Sequence, residues 1–139
     1  MTHPIDLKTV NEMSQNTLAT TLGMQIIVCE KDRVIITMPV DHRTHQPMGL
    51  LHGGASVALA ETAASIGATV NAAESGKVAV GQEINANHLR PVKDGTVRAE
   101  AVPVMIGKTS QIWEIKIFHE ETNKLVCISR CTLAVINPF

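Results

Sequence analysis

Aromatic residues are nearly missing from this sequence: no tyrosine, one tryptophan and two phenylalanines among 139 residues. Its core must therefore be filled with Val, Ile, Leu, Ala and Met, and no mechanism can use a phenol as acid or base. No basic block occurs either, and 12 Lys and Arg stand against 13 Asp and Glu. That balance argues against a nucleic-acid partner and against binding to an anionic membrane surface. Uninterrupted apolar runs fall short of the roughly 18 residues that a membrane span needs. The nearest candidate, residues 55–70, is broken by Ser56, Glu61, Thr62 and Ser65. The opening MTHPIDLKTV has neither the basic start nor the apolar stretch of a secretory signal. Three cysteines, an odd count, do not suggest a disulfide framework. Cys127 and Cys131 lie in a segment that reads as strand, which puts their Cα atoms about 13 Å apart, beyond disulfide reach. The expectation is a soluble protein of the reducing cytoplasm in which Cys29, Cys127 and Cys131 are inert core thiols.

What is present is a chain that is 45% hydrophobic, enough for one globular domain spanning residues 1–139. Leu7, Val10, Met13 and Leu18 recur at helical spacing after a potential N-cap, Asp6, and Gly23 ends that region. Two apolar runs, residues 24–29 and 34–40, flank a polar Glu30-Lys31-Asp32-Arg33 and predict a hairpin. A loop rich in His and Pro, residues 41–51, leads to a run of Ala, Gly and other small residues from His52 to about Ala73. That run reads as a single helix, apolar nearly all the way round and hence buried on all sides. Strands follow over residues 77–92, around Val97-Ala99-Ala101, around Trp113-Ile115-Ile117 and over residues 125–135. Turn signals separate them at Lys93-Asp94-Gly95, Gly107 and Glu121-Thr122-Asn123. One helix cannot cover both faces of a sheet, so the sheet must wrap around it, an α+β arrangement of the hotdog type. The face left uncovered invites association with a second copy.

Glu61 is the residue most out of place. It sits mid-helix among Val57, Ala58, Ala60, Ala64 and Ala68, and no Lys or Arg lies at i±3 or i±4 to pair with it. Desolvation in such a setting disfavours an ionised carboxylate, and a carboxylate held near neutrality suits a general base or nucleophile. Ser65 shares its stripe and either positions a water or substrate or bonds back to a helical carbonyl. His52-Gly53-Gly54 opens the helix, where exposed N–H groups and the positive end of the dipole could stabilise an oxyanion. Close helix packing is the other reading of that glycine pair. Gln46, a few residues upstream, is an amide donor that could reach the same oxygen. About 11 Å of helical rise separates Gly53 from Glu61, so one chain cannot easily place both around one carbonyl carbon. If both act, they come from different subunits of a dimer with two shared sites.

Further along, the polar run Asn85-Ala86-Asn87-His88-Leu89-Arg90 puts His88 and Arg90 on one face of the long strand. A central strand this polar fits either a binding-cleft or interface role or a solvated strand end approaching Pro91. His42 and His45 lie three apart in a loop with no further ligand at metal spacing, so no metal site is expected.

The run Gln46-Pro47-Met48-Gly49-Leu50-Leu51-His52-Gly53-Gly54-Ala55-Ser56-Val57-Ala58-Leu59-Ala60-Glu61, with Gly81-Gln82-Glu83-Ile84-Asn85-Ala86-Asn87-His88 after it, resembles the hotdog acyl-CoA thioesterases. The resemblance is to the branch holding the phenylacetyl-CoA-type and Arthrobacter-type 4-hydroxybenzoyl-CoA thioesterases. It is strongest to bacterial 1,4-dihydroxy-2-naphthoyl-CoA hydrolases and the enterobactin-pathway proofreading thioesterases. It implies that Glu61 is nucleophile or general base, that Gly53 N–H and Gln46 polarise the thioester carbonyl, and that His52 holds or protonates the thioester side. Ser65, His88, Arg90 and Met48 would then contact the acyl group or CoA. Met48 stands where similar proteins often carry an aromatic residue. The resemblance further implies no metal or organic cofactor and a dimer of dimers. Two other functions share the fold. A hydroxyacyl-thioester dehydratase would pair His45 with Glu61, but dehydratases usually enter the helix through Pro-Gly rather than His-Gly-Gly. A non-catalytic acyl-CoA sensor that regulates transcription would add a DNA-binding segment, and no basic helix-turn-helix is present.

Overall fold

The computed structural model describes residues 5–139. Asp6 caps the first helix as expected, its carboxylate accepting from Thr9 N–H at 2.8 Å. The N-terminal region is not one helix but two short ones, α1 (Leu7–Met13) and α2 (Leu18–Thr21). Between them Asn16 adopts a left-handed φ of 58°, which no α-helix can contain. The hairpin follows as β1 (Gln25–Cys29) and β2 (Val34–Pro39), then the long helix α3 (Gly53–Ala72) with a single 3-10 turn behind it. Four strands close the chain: β3 (Val78–His88), β4 (Thr96–Ile106), β5 (Ser110–His119) and β6 (Leu125–Ile136). They form one six-stranded sheet in the order β1-β2-β4-β5-β6-β3, with every neighbouring pair antiparallel.

Period-two alternation decides which side of each strand meets α3. Val34, Ile36 and Met38 of β2, Val97, Ala99 and Ala101 of β4, and Trp113, Ile115 and Ile117 of β5 are all fully buried. On the helix, Leu59, Ala60, Ala63, Ala64 and Ala68 are equally buried. These small side chains let the backbone of α3 lie close to the sheet. At Gly67 the approach is tightest: a Cβ there would sit 2.7 Å from Cζ3 of the Trp113 ring. Gln111 bridges the indole to the helix, because Trp113 Nε1–H donates to Gln111 Oε1 at 2.9 Å and Gln111 Nε2 donates to the Ala68 carbonyl at 3.0 Å. The only large aromatic in the core is thus locked to the helix by a buried relay with no unsatisfied atom.

Two expectations need correction. The residue 77–92 strand ends at His88, and it lies at the edge of the sheet, paired only with β6. An edge strand needs one buried face and one pairing side, which accounts for its polar residues. The long helix is not buried all round either; a stripe through Val57, Glu61, Ser65 and Thr69 is only half-buried, because α1 and α2 stand off from it. The thiols behave as core groups: Cys127 and Cys131 are fully buried, and burial, with the Glu61 and Glu83 charges nearby, pushes the Cys131 thiol up to about 12.

Because the Trp113 ring is fully buried and held through its Nε1–H bond to Gln111, it has little room to retreat from an added methyl group. Gly67→Ala is expected to destabilise the protein by about 1–3 kcal/mol, the range for overpacked cores, measured as a lowered denaturant midpoint with unchanged m-value.

Candidate active site

The half-buried stripe of α3 forms one wall of a cleft of about 650 Å³. Val57, Ala58, Glu61, Thr62, Ser65 and Thr69 line it from the helix, and Val10, Met13, Thr17 and Leu18 line it from the N-terminal segment. Glu61 is the one charged group in this lining, and no ion pair among the described residues includes it. Its carboxylate leans against β3 at Gly81, where a Cβ would lie 3.0 Å from Glu61 Cδ. Ser65 lines the same cleft one turn on, as the helical spacing predicts.

The first turn of α3 borders both sides: Gly54 lines the Glu61 cleft, while Gly53 opens into a second cleft of about 340 Å³ lined by Gln46, Ser56, His88 and Arg90 among others. Gly49, with a left-handed φ of 76°, closes the preceding turn through Gly49 N–H to Gln46 O at 2.9 Å. The Gln46 side-chain carbonyl then accepts from Met48 N–H, so its NH₂ is the end left to face the cleft, without a partner among the described residues. Gly53 N–H likewise makes no hydrogen bond among the described residues, and it is the first orphan donor at the positive end of a 20-residue helix. The His88 ring packs directly on Gly53, where a Cβ would meet Nε2 at 2.8 Å. Arg90 lies beyond the end of β3 but lines the same cleft as His88.

Within one chain, then, the carboxylate and the amide donors face different clefts at different turns of the same helix. This arrangement has relatives of known name. A thioesterase superfamily model matches residues 48–126, more than half of the chain. A 1,4-dihydroxy-2-naphthoyl-CoA hydrolase from Listeria monocytogenes is 51% identical over 118 residues, covering 85% of this chain and 94% of that protein. Proofreading thioesterase EntH of Klebsiella pneumoniae is 44% identical over 132 residues, 95% of each chain. The crystal structure of a thioesterase from Haemophilus influenzae superposes with a TM-score of 0.91 at 49% identity, covering 98% of this chain and 94% of that one. The chain belongs to the thioesterase superfamily. Its α+β architecture is the hotdog fold, and it is a thioester hydrolase.

In this thioesterase His52 has a clear structural duty. It is the N-cap of α3, with extended backbone (φ −69°, ψ 130°), and its Nδ1 accepts from Gly54 N–H at 2.8 Å. That bond requires an unprotonated Nδ1 and leaves any ring proton of the neutral form on Nε2. By occupying Gly54 N–H it also leaves Gly53 as the free donor. Met48 is 79% exposed and lines neither cleft; what it supplies is the backbone N–H that orients Gln46. Sequence reasoning missed the N-terminal wall of the Glu61 cleft. Its only trace was the helical spacing of Val10, Met13 and Leu18, which shows an apolar face without showing what that face meets. The notch at Gly81 was missed as well, because it depends on a contact between residues twenty positions apart.

A lost cap should register in stability: His52→Ala is expected to cost about 1 kcal/mol, while His52→Asn, which restores a capping oxygen, stays within a few tenths of the parent. Chemical denaturation of the three proteins measures this directly.

Proposed function

We propose that the protein hydrolyses acyl-CoA thioesters at two equivalent sites shared across a homodimer. In each site Glu61 of one subunit faces the Gly53 N–H and Gln46 amide of the other. The observation that carries this reading is the layout of β3. This edge strand carries the Glu61 carboxylate over Gly81 near one end and the His88 ring over Gly53 at the other. Its outer side is an open row of backbone groups that invites a further strand. A second copy adding antiparallel, centred on Ile84–Asn85, sets Gly81 opposite the partner's His88. Each carboxylate then comes beside the partner's oxyanion donors, and the two clefts merge.

The chemistry follows from those groups. The Gly53 N–H and Gln46 NH₂ hold the thioester oxygen as negative charge develops on it; removing one such donor typically costs a hundredfold or more in rate. Glu61 either attacks the carbonyl carbon, giving an anhydride that water opens, or takes a proton from the water that attacks. On both routes the C–S bond breaks, its electron pair leaves with sulfur, and the products are a carboxylic acid and the CoA thiol. His52, exposed at the helix entrance, stands beside the departing sulfur. His88 and Arg90 meet CoA. Ser65, with the apolar wall of Val10, Met13 and Leu18, receives the acyl group, and Met48 lies near the mouth of the site. The names of the relatives favour an aromatic acyl group, 1,4-dihydroxy-2-naphthoyl among the candidates.

Three free cysteines fit a reducing cytoplasm. Exposed Val102, Val104, Met105 and Ile106 at the end of β4 offer the surface on which two dimers would pair into a tetramer. The dehydratase alternative is disfavoured by His45, whose Nε2 is tied to the Lys93 carbonyl at 3.0 Å and which lines neither cleft.

Thiol release from a panel of aryl- and alkyl-CoA substrates tests the assignment. Glu61→Ala should lose roughly 10²- to 10⁴-fold in kcat, and wild-type turnover in that variant would refute it. Sharing has its own test. Glu61→Ala and Gln46→Ala subunits, unfolded together and refolded, should regain activity that neither possesses alone, because a mixed dimer contains one intact site. No gain on mixing would mean that each chain works by itself.

A further inference from the structure

We infer that Gly81 is a positioning residue for Glu61: its missing side chain is the notch that sets where the carboxylate rests, and the bulge beside it turns that notch toward α3. The inference rests on the reading of Glu61 as the reacting carboxylate. Gly81 lies in the interior of an 11-residue strand, where glycine is unfavourable because it gives up backbone entropy and packs nothing. Its own conformation does not call for glycine, since the left-handed glycines are Gly23, Gly49, Gly76 and Gly95. What fills the space instead is Glu61. An added Cβ would overlap Oε2 and lie 3.0 Å from Cδ and 3.5 Å from Cγ.

The bulge gives a second, independent reason. Gly81 pairs with Leu133 and Glu83 with Thr132, so Gln82 is the extra residue on β3. In a regular strand positions 81 and 88, an odd number apart, face opposite sides of the sheet. The extra residue reverses the alternation once. Ala79 is buried against α3 on one side of it, Ile84 and Ala86 pack on the core on the other, and both Gly81 and His88 touch α3. Without the bulge one strand could not supply both the seat of the carboxylate and the ring that covers Gly53.

The group that an added methyl would strike is the far end of a flexible side chain rather than backbone, so Gly81→Ala should fold. Glu61 must then rotate away, and displacing a reacting group by about 1 Å can cost on the order of a hundredfold. The experiment compares purified full-length wild type, Gly81→Ala, Glu61→Ala and the double variant, using benzoyl-CoA as the probe or the panel substrate turned over fastest. The expected result is a kcat reduced roughly a hundredfold in Gly81→Ala, with KM and thermal midpoint little changed. In the Glu61→Ala background the same glycine change should remove nothing further. A glycine serving only strand packing would instead lower the thermal midpoint equally in both backgrounds and leave kcat alone. Near-wild-type kcat in Gly81→Ala beside a dead Glu61→Ala overturns the inference and spares the proposed mechanism, whereas an active Glu61→Ala removes the mechanism itself. Glu61→Asp combined with Gly81→Ala supplies the cross-check. The shorter acid withdraws from the new methyl, so the glycine change should cost clearly less there than in wild type, and an equal cost would count against the notch.

Discussion

The close approach of α3 to the sheet is the constraint on which the other features depend. Ala60, Ala63, Ala64, Gly67 and Ala68 hold the helix backbone near the strands, and the Trp113–Gln111–Ala68 relay fixes its height and rotation. Once rotation is fixed, the half-buried stripe of the helix is fixed too. Glu61 and Ser65 then line the cleft, with the Glu61 carboxylate resting on Gly81 of β3. A core made of small aliphatic residues is therefore a positioning device as well as a source of stability, since side chains larger than these would lift the helix and carry Glu61 off Gly81.

The same geometry separates the Glu61 carboxylate from the Gly53 and Gln46 donors. A helix dipole can stabilise an oxyanion only at its first turn, while a carboxylate shielded from counter-cations is best found mid-helix. One helix can host both, though not around one atom. Placing the two on a single edge strand, at Gly81 and His88, makes an antiparallel pairing of identical strands the simplest way to join them. Catalysis and assembly would then be one property, and the open strand edge, ordinarily a liability, would become the place where the site is completed.

His52 and Gln46 show how local loop geometry prepares such a site. The cap bond from Gly54 N–H to His52 and the turn through Gly49 satisfy the neighbouring polar groups. They leave two donors, Gly53 N–H and the Gln46 amide, without partners among the described residues, beside the same cleft. Donors held in place before a substrate arrives need not reorganise during reaction, and in the proposed mechanism that would be the source of their effect on rate.

The hairpin, the single helix, the four later strands and the turns at Gly95 and Asn123 were legible in the sequence because they follow from short-range periodicity and backbone preference. The lack of a Lys or Arg one helical turn from Glu61 was legible too, since helical neighbours lie three and four residues away. Burial of the helix was overestimated. Its composition is apolar all round, but which stripe stays open depends on where α1 and α2 pack. Composition likewise could not show that β3 is an edge strand, that Gly81 receives Glu61, or that His88 covers Gly53. Those outcomes are set by strand order and by one inserted residue, both of which are decided by pairing between distant segments. The sequence determined which groups could react; the tertiary structure decided where each would stand, because position in a fold is fixed by contacts that no local window of residues contains.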